Sequence, residues 1–182
     1  MENDDADLVR RVLSGEVRCY RTILERHQSR ILFMGLKFFH RLEDAEDFAQ
    51  EVFLRAFEKL SLYSGKGPFA AWLYRLAYNV AVNARRGVRQ ALWGEEIDEQ
   101  ALPGNLPGAE ELLDSRETAE RVNGALSGLP ARYALVVRMH YFDGLSYPEI
   151  ADILDVPVNT IKSHIFRAKE IIRSRLNLPK ED

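Results

Sequence analysis

Apolar residues recur at spacings of three and four along both halves of the chain, and no stretch alternates with the period of two that a strand requires. The pattern predicts an all-α fold. Asp4 to about Ser14 reads as a short helix ending near Gly15, and a second helix runs from about Val17 to Phe39. The best-patterned segment is Leu42 to Leu60. There Ala45, Phe48, Ala49, Val52, Phe53, Ala56, Phe57 and Leu60 make one apolar stripe. Its other side carries Glu43, Asp44, Glu46, Asp47, Gln50 and Glu51. Acids in the first turns suit the positive end of the helix dipole, so a solvated surface and a partner-binding surface both fit.

A backbone-permissive loop follows, Tyr63-Ser64-Gly65-Lys66-Gly67-Pro68, and Pro68 introduces a helix from Phe69 to about Arg86. This helix interleaves Phe69, Trp72, Tyr74 and Tyr78 with Arg75, Asn79, Asn83, Arg85 and Arg86. Single-stranded nucleic acid needs such a mixture, because bases stack on rings, phosphates meet cations and amides pair with base edges. Core packing fits equally well, since Trp72, Leu73, Leu76 and Val80 have core spacing.

The stretch Leu145 to Ile172, LSYPEIADILDVPVNTIKSHIFRAKEII, reads as two helices joined by a tight turn. Ser146 and Glu149 have capping-box spacing, with Pro148 in the first turn. Ile150, Ala151, Ile153 and Leu154 form an apolar face that stops near Asp155-Val156-Pro157. Beyond the turn, Ile161, Ile165, Ala168 and Ile172 repeat at helical spacing, with Lys162, His164, Arg167 and Lys169 elsewhere around the helix. A helix-turn-helix lays its second helix in the DNA major groove. Asn159 and Thr160 then stand at the helix N-terminus, where hydroxyl and N–H groups hold a phosphate. Lys162, Ser163, Phe166 and Arg167 are the candidates for base edges.

Charge refines the picture. The net charge of −3 over 182 residues hides two basic segments. Arg75 to Arg89 holds four basic residues and no acid, and Val158 to Arg175 holds five against Glu170 alone. Between Trp93 and Glu120 lie nine acids and one Arg. Gly and Pro cluster across 87–109, which reads as a linker. Two nucleic-acid contacts separated by an acidic connection are expected. With 46% hydrophobic and 29% charged residues the chain has a globular composition, and no apolar run is long enough to span a bilayer. Cys19 is the only cysteine, so no intramolecular disulfide forms. The four histidines lack zinc-like spacing, and no metal or cofactor is expected. Acid pairs such as Glu95/Glu96 have no His or nucleophile beside them in sequence, so no enzymatic activity is expected either.

Four segments carry a family resemblance: DAEDFAQEVFLRAFEKL (44–60), FAAWLYRLAYNVAVNARR (69–86), LPARYALVVRMHYFDGLSYPEIADIL (129–154) and VNTIKSHIFRAKEII (158–172). Together, in this order, the chain resembles a sigma factor of the extracytoplasmic-function group in the sigma-70 family. The helix-turn-helix alone also resembles response-regulator output domains, but the first half has none of the alternating strands of a receiver domain. The resemblance implies two small helical domains: a sigma2-like domain at 1–88, a linker at 89–111 and a sigma4-like domain at 112–178. The partners it implies are core RNA polymerase (the β′ clamp helices and the β subunit), promoter DNA and an anti-sigma factor. No direct membrane insertion is expected, and the expected location is cytoplasmic, with an anti-sigma factor able to hold the protein at the inner membrane face.

By the same resemblance, Asp47, Gln50 and Glu51 dock on the β′ clamp helices. Tyr63, Lys66, Phe69, Trp72, Arg75, Asn79 and Asn83 capture an unstacked base of the −10 element, with Arg85 and Arg86 on phosphates. The −35 element falls to Asn159, Thr160, Lys162, Ser163, His164, Phe166 and Arg167. The chain departs from the usual family pattern at Asn159, commonly glycine, and at His164, commonly arginine. The second change removes a full charge at neutral pH and is expected to shift promoter preference. The acidic linker is equally a nucleic-acid mimic in a basic channel and a plain spacer. Two rivals remain. One is a stand-alone helix-turn-helix regulator, which binds duplex DNA without polymerase; the other is an adaptor that binds polymerase but not promoters.

Overall fold

A computed structural model of the chain describes residues 4–84 and 128–176. The chain divides into two units, Met1–Arg85 and Arg86–Asp182. Their described residues are helical, with no strand among them, as the periodicity predicts. The expected linker at 89–111, together with Arg85 and Arg86, lies outside the described residues.

The first unit holds α1 (Asp5–Leu13), α2 (Cys19–Phe39), α3 (Leu42–Glu58), a 3-10 turn at Leu60–Leu62 and α4 (Phe69–Ala84). Helix α2 packs on each of the other three helices, and it buries Tyr20, Ile23, His27, Ile31, Phe33, Met34 and Phe38. At Gly35 the approach of α3 leaves no room for a side chain. A Cβ there would lie 2.8 Å from Phe48 Cδ1 and 3.0 Å from the Ala45 carbonyl oxygen. Helix α2 ends at His40, whose left-handed backbone (φ 63°) returns its N–H to the Leu36 carbonyl. Only His40 and Arg41 separate it from α3, so the two helices fold back as a hairpin. The Tyr20 hydroxyl then donates to the Phe53 carbonyl at 2.6 Å, fixing the pair at its other end.

Most of the α3 stripe is buried as its spacing predicts, including Leu60 in the 3-10 turn. Phe57 differs. It stays 43% exposed and touches the core through an edge contact with Tyr20, ring centroids 5.0 Å apart.

The second unit holds α5 (Ala131–Val137), a π-helical turn at Arg138–Phe142, α6 (Tyr147–Leu154) and α7 (Val158–Arg175). The periodicity did not foresee the π-helical turn. It places Asp143 against buried Arg138, Nε to Oδ2 3.7 Å, and lets the Leu145 N–H reach the Met139 carbonyl at 2.9 Å. Helices α5 and α6 pack on α7 and bury Ile161, Ile165 and Ala168 beneath it. Among the described residues no helix is long and apolar enough to cross a membrane.

Candidate nucleic-acid interface

Three surfaces carry the residues singled out in the sequence, two on the first unit and one on the second. On α3, Asp47 and Gln50 are exposed and Glu51 is half-buried. Glu51 accepts a hydrogen bond from Arg55 Nε one turn on, which holds its carboxylate on this face. Leu54 stands on the same face, 64% exposed. It was missed in the sequence, although its position out of phase with Ala45, Phe48, Val52 and Ala56 is the signal that sets it apart. The face therefore presents two acids, an amide and one exposed apolar side chain.

The second surface begins with the loop before α4. Gly65 takes a left-handed backbone (φ 73°), and the Tyr63 hydroxyl donates to the Gly67 carbonyl at 2.7 Å, closing the loop on itself. Partial burial and the nearby Asp4 and Asp5 carboxylates raise the Tyr63 pKa, so the phenol stays a neutral donor. The loop sets Tyr63 against two rings of the first α4 turn. Its centroid is 5.2 Å from Phe69 at 89° and 5.9 Å from Trp72, and Phe69 and Trp72 are 5.3 Å apart.

These three rings are not equivalent. Phe69 is only 2% exposed, so it cannot offer a face for a base to stack on, contrary to its expected role. Its spacing explains this, because Phe69, Leu73, Ala77 and Val80 follow one buried side of α4. Tyr63 and Trp72 are half-buried and remain within reach of a ligand, and Lys66 is exposed on the loop. From Trp72 the exposed side of α4 continues through Arg75, Asn79 and Asn83, spaced by four. A ring, a cation and two amides thus lie in one line along the helix. Core packing thus takes Phe69, Tyr74 and Tyr78, while Trp72 stays half-buried beside the exposed Arg75, Asn79 and Asn83.

The third surface is the helix-turn-helix. The capping box forms in full. The Ser146 hydroxyl accepts from the Glu149 N–H at 3.4 Å, and the Ser146 N–H donates to Glu149 Oε2 at 2.8 Å. The Ser146 hydroxyl also donates to Glu149 Oε2 at 2.6 Å, and this bond, with the one from the Ser146 N–H, lowers the Glu149 carboxyl pKa. Helix α6 ends at Asp155 in the left-handed region (φ 54°), the Val156 N–H turns back to the Ala151 carbonyl, and Pro157 precedes the first residue of α7.

Asn159, Lys162, Ser163, Phe166 and Arg167 are all exposed along one face of α7. Phe166 is 66% exposed, an apolar ring flanked by Lys162, Ser163 and Arg167. Thr160 is half-buried. His164 does not belong to this face. It lies on the buried side with Ile161, Ile165 and Ala168, edge-on to the Tyr133 ring of α5 at 5.3 Å. Burial, with the Arg132 and Arg167 charges, pushes its pKa down to about 4, so it is a neutral core residue at physiological pH. A charge lost at this position is therefore not lost from the exposed face of α7. Among the described residues there is no cluster of His, Cys, Asp and Glu able to hold a metal.

Known proteins share this organisation. The family described as Sigma-70 region 2 matches residues 23–90, and Sigma-70 region 4 matches residues 119–172. The RNA polymerase sigma-H factor of Pseudomonas aeruginosa is 32% identical over 96% of this chain and 95% of its own length. The ECF RNA polymerase sigma-E factor of Escherichia coli K12 is 31% identical over 94% of each chain. Among solved structures, the sigma factor RpoE in complex with the anti-sigma factor NepR from Bartonella quintana is similar in fold. Its TM-score is 0.57 at 22% identity, over 88% of this chain and 98% of that one.

Proposed function

The chain belongs to the extracytoplasmic-function group of the sigma-70 family, and we propose how its surfaces divide the work of directing core RNA polymerase to promoters. The exposed acidic face of α3, with Asp47, Gln50, Glu51 and Leu54, docks on the β′ clamp helices. The Tyr63–Trp72 pair receives an unstacked base of the −10 element. Lys66, Arg75, Asn79 and Asn83 hold the strand on either side, and Arg85 and Arg86 extend the phosphate track. The exposed face of α7 reads the −35 element through Lys162, Ser163, Phe166 and Arg167, with Asn159 and Thr160 on the phosphate at its start. The sigma2-like domain spans 1–88 and the sigma4-like domain 112–178, joined by a linker at 89–111.

One observation carries this reading. The line Trp72–Arg75–Asn79–Asn83 is presented on a helix whose other side is a packed core. Opening a duplex costs a few kcal/mol for each base taken out of the stack, and a protein offsets that cost by holding the extruded base against a ring. No covalent step is involved. The chain acts by binding, and bond formation belongs to the polymerase. A free-standing duplex regulator has no use for a single-strand surface, and an adaptor has no use for either DNA-facing surface.

The anti-sigma complex of the Bartonella quintana protein supports control of this chain by an anti-sigma partner, in the cytoplasm or at the inner face of the membrane. The test of the whole reading is run-off transcription with purified core polymerase on a library of genomic fragments. Transcripts that need this protein and share a −10/−35 pair support it. Core enzyme that gives the same transcripts with and without the protein contradicts it.

A further inference from the structure

We propose that Asp5, at the start of α1, is a positioning residue for promoter opening, acting through His27 on the Phe69 ring beneath Tyr63 and Trp72. The proposal rests on the reading of Tyr63 and Trp72 as the base-receiving pair. It adds a residue far from them in sequence.

The geometry is a relay. His27 lies in the middle of α2 and is 1% exposed. A buried imidazole needs partners for both nitrogens, and it has them. Nε2 is 2.8 Å from Asp5 Oδ2, and Nδ1 is 2.9 Å from Arg30 Nη1. A guanidinium only donates, so Nδ1 accepts, and Nε2–H donates to Asp5. The two bonds assign the tautomer and fix the ring plane. Burial and the Arg30 charge keep the ring neutral by lowering its pKa. Asp5 is itself anchored by a second hydrogen bond from Arg26.

The imidazole meets the Phe69 ring with centroids 5.1 Å apart at 62°. Phe69, almost fully buried, in turn touches both Tyr63 and Trp72. The position of these two rings thus depends on Phe69, that of Phe69 on His27, and that of His27 on Asp5.

Stability alone is a poor account of this arrangement. A buried polar pair gains little over a well-packed apolar residue of similar volume, because desolvation cancels much of the attraction. A leucine at position 27 would pack against Phe69 without needing Asp5 or Arg30. What the polar pair adds is direction, since hydrogen bonds fix a ring plane that apolar packing leaves free. Acids in a first helical turn also favour the dipole. That effect explains an exposed acid at this position, not one turned onto a buried imidazole.

The experiment uses the full chain with core polymerase on a promoter recovered by the run-off assay. One template is intact, and each of the others carries an abasic sugar at a single −10 position. Asp5→Ala, which removes the acceptor that holds His27, is expected to lower transcription from the intact template by about tenfold or more, the scale of a misplaced positioning contact. On the template lacking the captured base, the variant and the unaltered protein should converge to within about twofold, because nothing remains there to be positioned. An equal loss on every template marks a merely structural role and overturns the proposal, as does no loss at all. Should Asp5→Ala fail to fold by circular dichroism, His27→Leu takes its place, with the same template dependence expected and the same outcomes overturning it. If the unaltered protein drives no transcription, the function reading itself falls and takes this one with it. That result is seen before any variant is made.

Discussion

The imidazole of His164 stands edge-on to the Tyr133 ring at 5.3 Å, on the side of α7 that faces α5. Its pKa of about 4 in the fold lies below the ordinary 6.5. The unfolded chain therefore binds the proton more readily. The contribution of the neutral ring is complete above about pH 6.5 and declines as pH falls towards 4. Discounted for residual solvent contact, the loss is about 1–2 kcal/mol. Urea unfolding of the full chain at pH 7.5 and pH 5 measures it. His164→Leu should lose less stability between the two pH values than the unaltered protein, and parallel losses would contradict the assignment. The same variant should keep its −35 preference.

The Ser146–Glu149 box closes the N-terminus of α6. Ser146→Ala removes the cap and should cost about 1 kcal/mol. A thermal melt of the full chain should show a midpoint lower by a few degrees, with secondary structure at low temperature unchanged. An unaltered midpoint would mean the cap is idle.

Gly35 lies where α3 packs against α2 with no room for a side chain. Gly35→Ala gains up to about 1 kcal/mol of helix propensity. The new methyl must displace the Ala45 carbonyl and the Phe48 ring, at a typical overpacking cost of about 1–3 kcal/mol. We expect net destabilisation, read as a lower urea midpoint. A stabilised variant would show that α3 moves aside freely.

Arg167 and Phe166 project from the exposed face of α7, and each good base contact is worth about 1–3 kcal/mol of discrimination. Arg167→Ala should lower transcription from promoters bearing the −35 element by about tenfold or more, and much less from templates without it. Equal loss on both template types, measured by run-off transcript yield, would remove Arg167 from base reading.

On α3, Asp47 is exposed, so its reversal should leave the fold intact. Asp47→Lys should weaken core polymerase binding by about 1 kcal/mol or more, the scale of an interface charge contact, without changing the thermal midpoint. Unchanged affinity in a core titration would place the docking surface elsewhere.

Much of this was legible in the chain itself. The α3 stripe, the capping box and the turn at Asp155 follow from local spacing and from side chains that act within one or two turns. The errors at the site came from reading residue type ahead of phase. His164 falls three residues from Ile161 and four from Ala168, which is the buried phase of α7, but its chemistry suggested a DNA contact. Phe69 falls four from Leu73 and eight from Ala77, the buried phase of α4, but it stands beside rings that are accessible. The π-helical turn at Arg138–Phe142 has no signature in the three-and-four spacing of apolar residues. The bond between Asp5 and His27 joins residues 22 apart on different helices, so no local pattern announces it.

The most direct test of the central claim is a footprint of a promoter recovered by the run-off assay, made with this protein alone, with core polymerase alone and with both. Protection of the −35 and −10 elements, together with permanganate-reactive thymines at −10, is predicted only when both are present. Full protection by the protein alone, with no opened thymines on adding core, would contradict the account and establish a duplex-binding regulator instead.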